Sequence, residues 1–263
     1  MGVPVLSTRN GFWVGCGLAV AGSHVAWVTR LFHNRTTRQA GVVTPFPANS
    51  VAVIFDMDGV LVDSEPLWHE AELDVFTSVG VPLTKALCQE TTGVRIDAVV
   101  RYWHARYPWQ TPSVDEVEQR IVCGVVERVR ARGEPMPGAR AAVAAAQQAG
   151  KLLGLASSSP LSIIDAVLDR LAVRPCFQAV RSAEKLPRGK PDPEVYLLAC
   201  ADLGVPPSAA IAVEDSHSGI LAAHAAGMFV VAVPDPRAPP PASLPLAHVV
   251  LDSLLQFTTL LAS

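Results

Sequence analysis

An apolar run that ends in two acidic residues is the feature that most constrains this chain. Residues Val51 to Phe55 are small, β-branched or aromatic, and the turn residues after them predict a short buried strand. Asp56 and Asp58 come directly after this strand, and Gly59 allows the backbone to turn sharply. Open α/β sheets place their ligands at the carboxyl ends of strands. Two carboxylates held together there repel each other unless a cation or a proton intervenes, so the pattern predicts a divalent metal and separate tasks for the two acids.

The same motif has two other interpretations. Asp and Gly are common in ordinary turns, so residues 56–59 alone are compatible with a structural loop. A calcium loop of the EF-hand type requires Gly at its sixth position and Glu at its twelfth. Counted from Asp56, those positions hold Leu61 and Leu67, which excludes a loop of that type.

The composition limits the class of protein. The chain has 263 residues, of which 50% are hydrophobic, enough for one large or two modest domains with a sizeable core. The net charge of −3 and the lack of a basic run argue against a nucleic-acid partner. The five cysteines are scattered without metal-ligand spacing, so free thiols in the reducing cytoplasm are the simplest interpretation. Nothing in the sequence sets the oligomeric state, and a monomer is the simplest expectation.

Residues 1–49 form a predicted N-terminal extension. The first 50 residues contain arginines but none of the 24 acidic residues of the chain. Within them, residues 11–29 are apolar, rich in glycine and of borderline length for a membrane helix. A leader or transit peptide fits this composition, and a misassigned start codon fits it equally well. A membrane anchor fits it less well, so no membrane partner is expected, and organelle targeting is the alternative to a cytoplasmic location.

Strand and helix patterns alternate from residue 135 onward. Helical patterns cover residues 139–149, 161–171, 193–203 and 218–226, and strand patterns cover residues 152–156, 210–213 and 228–233. This alternation predicts an α/β fold with a Rossmann-like parallel sheet wrapped by helices. Residues 67–134 are helical and aromatic in pattern and follow the first strand. We therefore predict an α/β core formed by residues 50–66 and 135–258, with an inserted α-helical cap at residues 67–134.

A serine-rich loop follows the predicted strand at residues 152–156. Ser157, Ser158 and Ser159 lead into Pro160, which suits the first position of a helix. Free backbone N–H groups at a helix start, together with serine hydroxyls, form an anion site. The alternative is a plain helix cap at Ser159, which does not require Ser157.

Two further loops carry charged residues. Lys190 lies between prolines that stiffen the backbone, which predicts either a fixed ammonium for phosphate or an ordinary surface lysine. Glu214 and Asp215 follow the predicted strand at residues 210–213. With Asp56 they predict an oxygen cage for Mg²⁺, whereas a capped helix start is the structural alternative.

The four loops, taken together and in this order, resemble those of the haloacid dehalogenase-like phosphohydrolase superfamily. The chain is similar to the group that carries a helical cap after the first motif, which includes β-phosphoglucomutases and sugar-phosphate phosphatases. The stretches DSEPLWHEAELDVF, GLASSSPL and KPDPEVYL resemble hexitol and 2-deoxyglucose-6-phosphate phosphatases in particular. The resemblance spans residues 51 to about 256 and leaves the N-terminal extension without a counterpart.

This resemblance implies a role for each loop. Asp56 is implied as the nucleophile that forms an aspartyl-phosphate, and Asp58 as the general acid and then base, with its backbone carbonyl on Mg²⁺. Asp215 is implied as a direct metal ligand and Glu214 as a ligand or a holder of one. The residues implied to bind the phosphoryl oxygens are Ser157, Ser158 and Lys190.

Two cap residues bear on the substrate. Arg95 is the candidate to reach a sugar hydroxyl or phosphate, with a surface arginine as the alternative. Trp68 stands where β-phosphoglucomutases usually have histidine and is expected to form an apolar wall of the substrate site. This difference favours hydrolysis of hexose or hexitol 6-phosphates, with a sugar phosphomutase as the alternative. A non-catalytic or membrane-tethered binding protein on the same fold is the second alternative, although none of the loops is lost.

Overall fold

The computed structural model describes residues 46–261, which fold around one parallel sheet. The strands are β1 (Ala52–Phe55), β2 (Leu152–Ser157), β3 (Ala179–Ser182), β4 (Ala210–Glu214), β5 (Phe229–Ala232) and β6 (Val249–Val250). They lie in the order β3-β2-β1-β4-β5-β6, and each neighbouring pair is parallel. The predicted Rossmann-like α/β architecture is confirmed. The predicted N-terminal extension lies outside the described residues, except for residues 46–49.

The central strand β1 is buried on both faces. Its side chains alternate between the two hydrophobic clusters of the core: Ala52 and Ile54 belong to one, and Val53 and Phe55 to the other. All four are 0% exposed. A continuous apolar run of this kind is typical of a parallel strand covered by helices on both sides. The register aligns β1 with β2 and β4, so the carboxyl ends of these three strands meet at one edge of the sheet.

The helices fall into two groups, those of the insertion after β1 and those that cover the sheet. The inserted helices are α1 (Glu65–Ser78), α2 (Lys85–Cys88), α3 (Ile96–Arg106) and α4 (Val114–Arg132). Gly80 lies just after the end of α1. Its φ of 84° is left-handed, and a residue in that conformation cannot continue the helix. Ser113 and Glu116 cap the start of α4 reciprocally. The aromatic rings of Phe76, Trp103 and Trp109 pack edge to face inside this cap.

The remaining helices cover the sheet. They are α5 (Ala139–Gln148), α6 (Leu161–Arg170), α7 (Glu194–Leu203), α8 (His217–Ala225) and α9 (Leu254–Leu261). Within residues 46–261, none of the helices combines the length and the apolar composition that crossing a membrane requires.

The two linkers that join the cap to the sheet lie side by side. Val62 and Pro135 form an antiparallel bridge. The amide of Asp63 donates to the carbonyl of Glu134 at 3.0 Å, and the amide of Met136 donates to the carbonyl of Leu61 at 3.0 Å. The chain therefore leaves the core and re-enters it at one place.

One core arginine holds each linker. Arg237, in the loop after β5, donates two hydrogen bonds to the carboxylate of Asp63, at 2.9 and 2.8 Å. Arg170, at the end of α6, donates to the carbonyl of Gly133 at 3.0 Å and lies 3.6 Å from the carboxylate of Glu134. Both ends of the cap are thus tied to the core by polar contacts in addition to the chain itself.

Three elements near the ends of the sheet were not predicted. Strands β3 and β6 are the two edge strands, and they are short and partly polar or exposed, so they lack the apolar run of a buried strand. Helix α9 packs on α5 and runs to Leu261, beyond the predicted limit of the core at residue 258. Phe46 lies against the rings of Phe229 and Phe257, so part of the segment before residue 50 packs on the core.

Candidate active site

Asp56, Lys190 and Glu214 form a buried ion-pair cluster at the carboxyl ends of the central strands. The Lys190 ammonium lies 2.5 Å from Oδ1 of Asp56 and 2.6 Å from Oε1 of Glu214. The side chain of Lys190 is only 4% exposed. Burial lowers the pKa of this ammonium, but Asp56 and Glu214 raise it by more, so the net shift is upward. Lys190 is therefore a buried, charged group, which rules out the surface-lysine interpretation.

Tyr196 completes this cluster and was not predicted from the sequence. Its hydroxyl donates to Oε1 of Glu214 at 2.5 Å, and the Lys190 ammonium lies 4.8 Å from the centre of its ring. Burial, followed by the negative charge of Glu214, raises the pKa of the phenol. Tyr196 lies in the first turn of α7. Pro193 predicts where this helix begins, but packing against the sheet sets the direction of the Tyr196 side chain.

The carboxylates of Asp56, Glu214 and Asp215 are suited to a divalent cation. One oxygen of each lies within 4.8 Å of the others, and Oδ1 of Asp215 is buried without a hydrogen-bond partner. Burial raises the pKa of Asp56 to about 8 against the opposing effect of Lys190, and burial and the charge of Asp56 raise the pKa of Asp215. With all three acids ionised, one ammonium leaves two negative charges uncompensated. An all-oxygen set with that charge fits Mg²⁺.

Gly59 is required where it stands. Its φ is 73°, and a Cβ placed there would lie 2.2 Å from Oδ2 of Asp215. Any larger residue would displace the Asp215 carboxylate or change the turn. The lack of a side chain at Gly59 thus allows the loop after β1 and the loop after β4 to lie close together.

Asp58 receives hydrogen bonds from two separate segments, residues 64–68 and residues 157–159. The hydroxyl of Ser64 and the indole N–H of Trp68 donate to its Oδ1, at 2.5 and 3.2 Å. The hydroxyl of Ser159 donates to its Oδ2 at 2.6 Å, and that of Ser157 lies 3.4 Å from the same oxygen. Hydrogen bonds of this kind orient the carboxylate.

The serine-rich loop differs from its prediction at one residue. Pro160, rather than Ser159, occupies the cap position of α6, and the helix begins at Leu161. Because proline takes the capping position, the hydroxyl of Ser159 is available for Asp58. Ser157 is 1% exposed, and its hydroxyl accepts a hydrogen bond from the amide of Ser159 at 3.0 Å. The predicted helix cap at Ser159 is therefore wrong, and its contact with Asp58 was missed.

Arg95 spans the boundary between cap and core. It pairs with Asp97 through Nε at 2.6 Å, and its Nη1 donates to the carbonyls of Ala183 and Leu186 at 3.1 and 2.7 Å. It also lines a small, open cavity together with Ser158. Arg95 is therefore not a free surface arginine, because its guanidinium is hydrogen-bonded to a carboxylate and to two backbone carbonyls of the protein.

The structure thus brings most of the predicted site residues into one cluster. Asp56, Asp58, Ser157, Lys190, Glu214 and Asp215 meet at the sheet edge, and Trp68 joins them through Asp58. Arg95 and Ser158 line the neighbouring cavity. The residues that sequence reasoning missed are Ser64, Ser159 and Tyr196.

Comparison with known proteins gives consistent results. Residues 51–227 match the model of the haloacid dehalogenase-like hydrolase family. Hexitol phosphatase B of Escherichia coli strain K12 is 46% identical over 213 residues, covering 81% of this chain and 96% of that protein. CbbY from Rhodobacter sphaeroides, in complex with phosphate, superposes with a TM-score of 0.72 at 25% identity, covering 79% of this chain and 96% of that one. A β-phosphoglucomutase from Clostridium difficile superposes with a TM-score of 0.67 at 25% identity, covering 79% of this chain and 92% of that one.

Proposed function

The chain belongs to the haloacid dehalogenase-like hydrolase family, and on that premise we propose that it is a Mg²⁺-dependent phosphatase of hexose and hexitol 6-phosphates. The observation that carries this proposal is the ion pair between Asp56 and the buried Lys190. Asp58, two residues after Asp56, is held separately by its own hydrogen-bond donors. An ionised carboxylate attacks phosphorus without a base, and a nearby ammonium offsets the charge of the phosphoryl group.

The proposed reaction proceeds in two steps. In the first, a carboxylate oxygen of Asp56 attacks phosphorus while Asp58 gives a proton to the departing sugar oxygen. In the second, Asp58 removes a proton from a water that attacks the aspartyl-phosphate, which frees inorganic phosphate and Asp56. Lys190 and Ser157 are proposed to bind the phosphoryl oxygens.

The metal is proposed to be held by Asp56, Asp215 and the backbone carbonyl of Asp58, with Glu214 as a further ligand or as a holder of Lys190. When bound, Mg²⁺ supplies positive charge against the phosphoryl oxygens and between the crowded carboxylates. The unpartnered Oδ1 of Asp215 supports its assignment as a ligand. We expect activity to be lost on exhaustive chelation and to return with Mg²⁺, as followed by phosphate release. Unchanged activity after chelation would contradict the metal assignment.

The nucleophile is tested by Asp56→Asn. The variant keeps the shape of the side chain but removes the attacking charge, so turnover should fall by at least about 10³-fold while the fold persists. The measurement is phosphate release from hexose and hexitol 6-phosphates, with circular dichroism as the check on folding. Asp165→Asn, on the exposed face of α6, is the matched control and should retain full activity. Activity of Asp56→Asn close to that of the wild type would refute the assignment.

A sugar phosphomutase is the alternative function, because a β-phosphoglucomutase shares the fold. Trp68 favours hydrolysis, since an indole cannot accept a proton where mutases usually have histidine. The deciding assay supplies β-glucose 1-phosphate with a trace of the 1,6-bisphosphate and follows both free phosphate and glucose 6-phosphate. Faster formation of glucose 6-phosphate than of free phosphate would establish the mutase. A cytoplasmic location and a monomeric state stay predictions from the sequence.

A further inference from the structure

Trp68 connects the cap to the acid at the centre of the site. It lies in the first turn of α1, the helix that leads into the cap, and its backbone amide donates to the carbonyl of Ser64. Its indole N–H donates to Oδ1 of Asp58 at 3.2 Å. The expected apolar wall thus has a polar edge that touches the proposed acid–base group.

The two oxygens of Asp58 are not equivalent. Oδ1 accepts from Ser64 at 2.5 Å and from Trp68 at 3.2 Å, which uses both of its lone pairs. Oδ2 accepts one short hydrogen bond, from Ser159 at 2.6 Å, while Ser157 lies at 3.4 Å, near the limit of a hydrogen bond. One lone pair of Oδ2 is therefore only weakly engaged.

The donor on Oδ1 is also permanent. A serine hydroxyl can rotate to become an acceptor, but an indole N–H can only donate. A proton carried on the lone pair of Oδ1 that faces Trp68 would clash with that N–H. The indole therefore leaves only the Ser64-facing lone pair of Oδ1 open to a proton, whereas both contacts of Oδ2 are with hydroxyls that can rotate to accept one, so Oδ2 is the favoured carrier of the proton.

We propose that Trp68 is a positioning residue that reserves Oδ2 of Asp58 as the oxygen that exchanges protons. The inference rests on the proposed phosphatase reaction. In the first step the proton on Oδ2 passes to the sugar oxygen as its bond to phosphorus breaks and the Asp56–phosphorus bond forms. In the second step Oδ2 takes a proton from water as the water oxygen bonds to phosphorus and the Asp56–phosphorus bond breaks. Because Trp68 lies on a cap helix, this donor reaches Asp58 only while that helix keeps its position.

The test compares Trp68→Phe with Trp109→Phe. Both remove one indole N–H and keep an aromatic ring, but Trp109 donates to the carbonyl of Pro112 inside the cap and does not touch Asp58. Alkyl phosphates such as glucitol 6-phosphate need a proton on the leaving oxygen, whereas aryl phosphates with acidic phenols do not.

We expect Trp68→Phe to lower kcat/KM for glucitol 6-phosphate by about 10- to 100-fold and to change kcat/KM for 2,4-dinitrophenyl phosphate by less than about 3-fold. Trp109→Phe should leave both values unchanged. An equal loss of kcat/KM for the two substrates would contradict the positioning role and leave Trp68 as an apolar wall of the site. No loss for either substrate would show that Trp68 has no role in the reaction.

A measurement without turnover separates this inference from the proposed function. In protein labelled with ¹⁵N-tryptophan, the Trp68 indole resonance is the one that disappears in Trp68→Phe. It should shift in Asp58→Ala, while that of Trp109 should not. An unmoved Trp68 resonance overturns the inference even if the wild type hydrolyses sugar phosphates. If the Trp68 resonance moves in Asp58→Ala but the wild type hydrolyses no phosphomonoester, the proposed function is overturned, and the positioning role falls with it.

Discussion

At the scale of single residues, the site depends on charges that are buried together. Lys190 and Glu214 are almost entirely buried, and each has the other as a partner. A buried charge is costly unless it is paired and hydrogen-bonded, so each donor in the cluster offsets part of that cost. Tyr196 contributes by donating to the same oxygen of Glu214 that Lys190 contacts.

Replacing Tyr196 by Phe should therefore destabilise the protein. The change removes a hydrogen bond to a buried carboxylate, which costs about 1–3 kcal/mol, and it should also lower activity by shifting Lys190. The free energy of unfolding in urea is the measurement. The matched control is Tyr102→Phe, since Tyr102 donates to the exposed carboxylate of Glu90 and its loss should cost less than about 0.5 kcal/mol. Equal effects of the two variants would contradict the role given to burial.

The same scale shows what the sequence can predict of a site. Asp56, Lys190 and Asp215 were predicted because each follows a strand or opens a helix, and the carboxyl ends of parallel strands converge. Ser64 and Ser159 were not, because their contacts with Asp58 depend on where a helix begins to within one residue. The sequence therefore predicts where the acidic and basic site residues lie, whereas the hydrogen-bond donors around them depend on side-chain direction.

At the scale of elements, helix α1 carries more than packing residues. Trp68, Glu72 and Phe76 follow at four-residue spacing, so they share one face of the helix. Glu72 is buried in the cap, and burial raises its pKa to about 7. An acid whose pKa is higher in the folded state binds its proton more tightly there than in the unfolded chain.

The stability of the protein should therefore fall as the pH rises from about 4.5 to about 7. In that range the folded state keeps the Glu72 proton and the unfolded state has lost it, so raising the pH favours unfolding. Glu72→Gln has no proton to lose and should be more stable than the wild type above pH 7, by up to about 3 kcal/mol. Urea denaturation at a series of pH values measures this. Glu127→Gln, at an exposed position of α4, is the control, and a Glu72→Gln profile parallel to that of the wild type would refute the prediction.

Elements differ in how well the sequence predicts them. Strands β1, β2 and β4 are buried on both faces, so their apolar runs are unmistakable. The edge strands β3 and β6 make contact on one side only, and their short, mixed sequences carry little pattern. What the sequence leaves out is thus the periphery of the sheet, although the end of β3 does support the site, since the hydroxyl of Ser182 donates to the carbonyl of Ser159 at 2.6 Å.

At the scale of the whole molecule, the cap is attached through two adjacent linkers, each held by a core arginine. Arg237 is 56% exposed, so its pairing with Asp63 contributes little to global stability. Its location at a linker gives it a local effect instead. Local opening of a linker exposes fewer groups than global unfolding does and therefore requires a smaller free energy.

Replacing Arg237 by Ala should loosen the cap without unfolding the protein. We expect the free energy of unfolding to change by less than about 1 kcal/mol, while amide hydrogen exchange in residues 60–65 accelerates by a factor of about 2–5. Arg181→Ala is the control, because Arg181 pairs with Asp202 in the same two-bond manner but far along the chain from the linkers. Equal exchange at residues 60–65 in the two variants would show that Arg237 does not hold the linker.

The bridge between Val62 and Pro135 also bears on how proteins of this architecture diversify. Because the insertion begins and ends at neighbouring points, the sheet tolerates a cassette of any length whose two ends can meet there. New lineages can replace that cassette and inherit the phosphate chemistry unchanged. Selection for a new metabolite then acts on one contiguous stretch of the gene, residues 63–134, while the catalytic loops stay under separate constraint. Ser64 and Trp68 are where this independence ends, since both belong to the cassette and both donate to Asp58.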